Sequence, residues 1–222
     1  MAANGQNTCD RSKIHLDIAL TPADSLAMIP ILLLAAGQSS RMRGRDKLLE
    51  EIDGTPILNL LSARAIMVGP VFVTLPDLNH PRRKALPGDA TAVPVPEARN
   101  GMSNSLKAGI SALPDTATGV IILPADMPDI TTADLAAIKA HSQQNLAPIV
   151  RATTSDGKPG HPIYFARSLF SLLQNLSGDR GAYQICQDYS AQTKLVPLKG
   201  QRARLDLDTP EEWEYFLKNR NQ

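Results

Sequence analysis

Residues 31–47, Ile-Leu-Leu-Leu-Ala-Ala-Gly-Gln-Ser-Ser-Arg-Met-Arg-Gly-Arg-Asp-Lys, constrain the fold more than any other stretch of this chain. An apolar run ends abruptly in small residues, and Arg41, Arg43, Arg45 and Lys47 follow within seven positions. Such a run reads as a buried strand, here over 29–34, that delivers the chain to a loop. Two readings of that loop stand: a cradle for phosphate, or an ordinary solvated basic turn. In the first, Gly37 admits a ligand close to the backbone, and the exposed N–H groups form an anion-binding concavity. Arg41 and Lys47 then supply charge, one as a planar fork and the other as a compact point.

From Ile29 onward, short apolar runs alternate with helical patterns. That order predicts an α/β fold, a mostly parallel sheet with helices on both faces. Further strands are expected over 71–75, 92–95, 119–123 and 148–151. Pro56 suits the first turn of a helix over 57–68. Met102, Leu106, Ile110 and Leu113 make a helical stripe over 101–113, and Thr131 with Asp134 caps a helix running to Ala140. In the last third, strands are expected over 163–165, 194–197 and 204–207, and helices over 169–176 and 182–188. Thr209-Pro210-Glu211-Glu212 is a capping box with proline at its first helical position, opening a closing helix through Leu217. The 222 residues suffice for one good-sized core, so a single domain is expected over 28–222. Residues 1–27 show no sustained period and are expected to form a flexible extension, with Met28 an alternative start.

Composition narrows the partners. Lys and Arg number 23 against 22 Asp and Glu, and aromatics are 4%, so neither a global basic footprint nor stacking platforms for nucleic acid are present. Cys9 and Cys186 match no metal spacing and read as reduced thiols of a cytoplasmic protein. Arg11 and Lys13 ahead of the apolar run imitate a secretory signal. Asp10, Asp17 and Asp24 interrupt that pattern, Arg41-Met42-Arg43 follows where a cleavage site would stand, and the run is too short to cross a bilayer. A cytoplasmic protein with no membrane partner is expected.

Several loops carry chemistry. Leu123-Pro124-Ala125-Asp126-Met127-Pro128 places a carboxylate at the end of an expected strand, where open α/β sheets bind ligands and where Mg²⁺ is held against phosphate oxygens. The competing reading of Asp126 is a local turn bond. Arg204-Leu205-Asp206-Leu207-Asp208 alternates with the strand period, which puts Asp206 and Asp208 on one face. Metal duty for at least one of them is set against Asp208 merely capping the following helix. Gly157-Lys158-Pro159-Gly160-His161-Pro162 is a stiff loop presenting a histidine. Ser177-Gly178-Asp179-Arg180-Gly181-Ala182 opens a helix in a way suited to an anionic group, and Arg99 to Ser105 opens another with hydroxyls and an amide. A dinucleotide fingerprint, a Walker loop, a nucleophile elbow and a zinc pattern are all missing.

With these loops in view, the chain resembles the molybdenum cofactor nucleotidyltransferases, and most closely their cytidylyltransferase branch. The family's Leu-Ala-Ala-Gly-x-Ser-x-Arg-Met, followed by Gly-x-x-Lys, is matched from Leu34 to Lys47. Pro-Ala-Asp-Met-Pro is matched over 124–128, Gly-x-Pro-Gly-His-Pro over 157–162, Gly-Asp-x-Gly-Ala over 178–182 and Asp-x-Asp-Thr-Pro-Glu over 206–211. The resemblance implies a Rossmann-like nucleotidyltransferase fold and Mg²⁺-dependent transfer of CMP from CTP to the terminal phosphate of the molybdenum cofactor. It implies nucleotide contacts from Leu34, Ala35, Ala36, Gly37, Ser39, Ser40, Arg41 and Lys47, with Ser103 or Ser105 reaching the base or ribose. Arg41, Lys47 and Asp126 take the catalytic roles, and Asp126 with Asp206 or Asp208 holds the metal. His161, Gly178, Asp179 and Gly181 face the acceptor, and the product passes to a recipient molybdenum apoenzyme or its maturation chaperone. Ala35-Ala36 and Ala125-Asp126-Met127 lean toward cytidine rather than guanosine. Two departures stand out: Arg43 where the family often has glycine, and Tyr183 where a basic residue is common. The rival readings are a transferase for another nucleoside triphosphate or another phosphorylated acceptor, such as a sugar 1-phosphate, and a non-catalytic nucleotide- or cofactor-binding chaperone. A mere binder has no need of the retained Lys47, Asp126 and Asp206/Asp208.

Overall fold

The computed structural model describes residues 28–176 and 182–220. The expected extension over 1–27 and the loop holding Gly178, Asp179 and Gly181 lie outside the described residues. Nine strands and six helices follow in chain order among the described residues: β1 (Ile31–Leu34), β2 (Glu51–Ile52), β3 (Thr55–Pro56), α1 (Ile57–Ile66), β4 (Val71–Leu75), β5 (Ala90–Pro94), α2 (Met102–Ser111), β6 (Gly119–Pro124), α3 (Thr132–Gln144), β7 (Ile149–Thr153), β8 (Pro159–Ala166), α4 (Phe170–Gln174), α5 (Tyr183–Asp188), β9 (Thr193–Pro197) and α6 (Pro210–Asn219).

Seven strands form one sheet in the order β5-β4-β1-β6-β8-β7-β9. β5, β4, β1 and β6 run parallel, whereas β8 is antiparallel to both neighbours and β9 parallel to β7. The chain moves outward from β1 through β4 to β5, then returns to pair β6 with the other side of β1. That reversal opens a crevice beyond the carboxyl ends of β1 and β6, the place where such sheets bind ligands.

The core explains why β1 is an unbroken apolar run. Ile31 and Leu33 pack with Leu58, Leu61, Leu135 and Trp213 on one face of the sheet. Leu32 packs with Leu106, Ile110 and Phe165 on the other. A strand covered on both faces has no solvent side to alternate toward, and each such burial contributes about 1.5–3 kcal/mol. Helix α2 sits close enough that a Cβ on Gly109 would lie 2.5 Å from a methyl carbon of Leu32. Among the described residues no helix is long and apolar enough to cross a membrane.

Three expectations about local structure need correction, the first being the loop over 157–162: from Pro159 on its residues, His161 among them, belong to β8. The stretch 169–176 is not one helix: a 3₁₀ turn at Arg167–Leu169 leads into the short α4. The segment 204–207 is not a strand. The N–H groups of Arg204 and Leu205 both donate to the Gln201 carbonyl in a turn, and Leu207 N–H then donates to the Asp126 carbonyl at 3.1 Å. Its alternation comes from the burial of Leu207, not from a ladder. The same tail meets β8, where His161 N–H donates to the Ala203 carbonyl at 2.8 Å, and a Cβ on Gly160 would fall 1.8 Å from that oxygen. Gly160 is therefore demanded by packing. The β2–β3 hairpin was not foreseen, although its Asp53-Gly54 turn, with both φ values positive, carries the usual two-residue signal.

Candidate active site

The loop after β1 is shaped from beneath by Arg82, in the 3₁₀ turn Pro81–Ala85. Its guanidinium is 2% exposed and all five donors are used. Nε and Nη2 each donate to Asp46 at 2.7 Å, Nη1 donates to the carbonyls of Ala35 (2.6 Å) and Gly37 (2.7 Å), and Nη2 also reaches Ser39 Oγ at 3.0 Å. Burial alone would raise the Asp46 pKa, but Arg82 holds it below the ordinary carboxylate value. Ser39 adopts a left-handed conformation at φ 51°, and its hydroxyl accepts from Lys47 N–H at 3.3 Å. Gly37 has open space where a Cβ would stand. The protein's own packing does not require glycine there, which leaves room for a ligand against the backbone.

At the mouth of the β1–β6 crevice the front and the tail of the chain converge on Lys47. Its ammonium donates to Asp126 Oδ2 at 2.5 Å and to Asp208 Oδ1 at 2.6 Å. Arg41 reaches Asp208 Oδ2 at 2.7 Å. Lys47, Asp126 and Asp208 side chains are 14%, 15% and 17% exposed. Burial would lower the Lys47 pKa, but the two carboxylates hold it above the ordinary lysine value. The backbone on which these groups stand is pinned. Arg64 Nη1 donates to the carbonyls of Pro128 (2.7 Å) and Ile130 (2.8 Å), fixing the loop after β6. Thr209, not Asp208, is the helix cap, in a capping box with Glu212. The capping reading of Asp208 is thereby excluded, and its carboxylate is left for Lys47 and Arg41.

The acidic residues assemble differently from the expected arrangement. Asp206 and Asp208 do not share a strand face: Asp208 joins Lys47, while Asp206 lines a groove along α6 with Tyr215 and Phe216. Burial first, then the neighbouring Asp126 and Asp208 charges, raise the Asp206 pKa. Among the described residues no group of three His, Cys, Asp or Glu side chains encloses a metal position, and the Lys47 ammonium sits between Asp126 and Asp208. Those two nonetheless fit a divalent ion in the manner of Mg²⁺, which is usually bound by one or two carboxylates plus substrate phosphates. Asp126 Oδ1 is buried without a hydrogen-bond partner, an acceptor left available.

The loop separates two cavities. One, of about 290 Å³, is lined by Leu34, Lys47, Ser105 and Asp126. The other, of about 570 Å³, is lined by Ser39, Ser40, Asp77 and His80. Ala36, Gly37, Gln38 and Arg99 border both. Not every expected residue faces them. Ala35 is buried and its N–H donates to Thr74 Oγ1 at 3.1 Å, and Ser103 is buried in α2 away from both linings. His161 lines a third cavity of about 160 Å³, reached past Leu34 and Met102 and shared with Arg151 and Tyr183. Burial, then the Arg151 charge, lowers its pKa to about 4, so it is neutral near pH 7. Sequence reasoning missed Arg82, Arg151 and His80, and named Arg99 only as the start of a helix-opening loop. Arg99 had a local sign, since it precedes Gly101, whose φ of 110° only glycine adopts readily. Arg82 had none, because its partners lie 36–47 residues away.

The fold is that of a nucleotidyltransferase, and the chain belongs to the MobA-like NTP transferase domain family, whose model matches residues 31–194. It is similar to the purine catabolism protein PucB of Bacillus subtilis, 29% identical over 82% of this chain and 93% of that protein. It is 33% identical to a molybdenum cofactor guanylyltransferase of Burkholderia vietnamiensis, over 62% of this chain and 67% of that one. Among solved structures, Rv0371c of Mycobacterium tuberculosis superposes with a TM-score of 0.77 at 26% identity, covering 87% of this chain and 100% of that one. The manganese complex of Rv0371c superposes with a TM-score of 0.71 at 24% identity, covering 86% and 99%.

Proposed function

We propose that this nucleotidyltransferase, acting as one domain over 28–222, transfers CMP from CTP to the terminal phosphate of the molybdenum cofactor with Mg²⁺ and releases pyrophosphate. The observation that carries the reading is the Lys47 ammonium shared by Asp126 and Asp208 beside the Gly37 loop. The acceptor phosphate is already an anionic nucleophile, so the task is to bring two negative groups together. Lys47 and Arg41 serve by turning from the carboxylates to the triphosphate, offsetting the charge that develops on pyrophosphate. Asp126 and Asp208 would hold Mg²⁺, which supplies positive charge to the phosphate oxygens. Ser105 reaches the nucleoside from α2, and neutral His161 faces the acceptor, a role the resemblance also gives to Gly178, Asp179 and Gly181.

Ala35-Ala36 and Ala125-Asp126-Met127 support cytidine. The guanylyltransferase relative supports the second reading, the same acceptor with GTP. A recipient molybdenum apoenzyme or its chaperone then takes the product. The test is pyrophosphate release with purified molybdenum cofactor and CTP, GTP or ATP. Fastest release with CTP is the expected result. Fastest release with GTP replaces the nucleotide assignment, and tight CTP binding without release for any acceptor replaces catalysis by a binding role.

A further inference from the structure

We infer that Arg82, remote from the reacting atoms, is a positioning residue that aims the backbone N–H groups of Ala36 and Gln38 at the triphosphate. The inference rests on the reading of the Gly37 loop as the triphosphate cradle. In a trans peptide the carbonyl of one residue and the N–H of the next point in opposite directions. Arg82 Nη1 holds the Ala35 carbonyl at 2.6 Å and the Gly37 carbonyl at 2.7 Å from below. The N–H groups of Ala36 and Gln38 are therefore turned to the other side of the loop, where both residues border the 290 Å³ cavity beside Lys47 and Asp126, whereas Arg82 and Asp46 stand in the wall of the 570 Å³ one. Among the described residues neither N–H donates to a protein acceptor. With these carbonyls facing the cleft instead, the loop would repel an anion. One guanidinium thus sets the sign of the loop's field.

The rest of the arrangement keeps Arg82 from doing anything else. Asp46 takes two of its donors and Ser39 another, so none is left for a ligand, and at 2% exposure none can reach one. Lysine, with three donors and no planar fork, cannot hold both carbonyls and both Asp46 oxygens at once.

Wild type, Arg82→Lys and Asp46→Asn are compared by calorimetric titration with CTP, inorganic tripolyphosphate and cytidine, with thermal unfolding as the control on folding. Affinity for CTP and tripolyphosphate is expected to fall about tenfold or more in folded Arg82→Lys, the size of a misdirected hydrogen bond to a charged group. Cytidine affinity stays within about twofold. Asp46→Asn, which keeps the arginine but loosens its fork, gives the same selective loss at smaller size and carries the test if Arg82→Lys fails to fold. Equal losses for cytidine and CTP would show Arg82 to be structural support only and overturn the inference. A wild type that binds cytidine but neither triphosphate overturns the cradle reading itself, and the inference with it.

Discussion

Lys47 and Arg82 are two cations on either side of one loop, and their surroundings differ in a way that separates their duties. Lys47 lies between two carboxylates in a cleft that water reaches, and under the proposed function a phosphate replaces either partner. Arg82 is buried in the wall of the larger cavity, with every donor committed to the loop and to Asp46. An exchangeable cation is suited to charge that moves during a reaction. A saturated buried one is suited to holding shape. The contrast implies that loss of the first lowers rate and loss of the second lowers stability.

The largest effect is expected on turnover. Lys47→Met or Asp126→Asn should lower it by about two or three orders of magnitude, the scale of losing one preorganised electrostatic group, and steady-state pyrophosphate release measures this. Near-normal rates in both folded variants would remove these residues from the chemistry. Arg82→Met should instead appear in equilibrium denaturation as a loss of about 3 kcal/mol, because it leaves the half-buried Asp46 and the two loop carbonyls without their shared donor. Equal stability losses from Lys47→Met and Arg82→Met would erase the distinction between the two cations.

A smaller effect concerns pH. His161 titrates near 4 when folded, against an ordinary 6.5. As pH falls through that window the unfolded chain takes up a proton that the folded protein refuses, so stability declines from about pH 6.5 toward pH 4. The loss is about 3 kcal/mol at most. His161→Gln should flatten that part of the stability profile, and an unchanged profile would contradict the buried neutral imidazole. Smallest is Arg43→Gly. Arg43 sits in the left-handed region at φ 52°, and relief of that conformation is worth about 1 kcal/mol. Its exposed pair with Glu211 offsets little of this gain. Thermal unfolding measures the difference.

The same contrast marks what could be read before the coordinates. β1, β4 and β6 were legible because a strand buried on both faces writes itself as a continuous apolar run. Lys47 and Asp126 were legible because each follows such a run at the carboxyl edge of the sheet. The residues that shape the site through tertiary contacts were not. Arg82 looks like any basic residue after a proline, since its meaning lies in carbonyls and a carboxylate far along the chain. The 204–208 stretch misled for the opposite reason: a period of two over so few residues is produced equally by a turn pinned to His161 and Asp126. Glycines divide likewise. Gly160 is required by the Ala203 carbonyl and Gly37 by nothing in the protein, a difference that no sequence pattern displays.

The most direct test of convergence around one nucleotide's phosphates is electron paramagnetic resonance of Mn²⁺ titrated into the protein with and without CTP. The account predicts that wild type holds the ion mainly when CTP is present and that Asp126→Asn and Asp208→Asn each abolish this binding. Lys47→Met, which empties the space between the carboxylates, should tighten it without nucleotide. Mn²⁺ bound with CTP equally well by both carboxylate variants and by wild type would contradict the account.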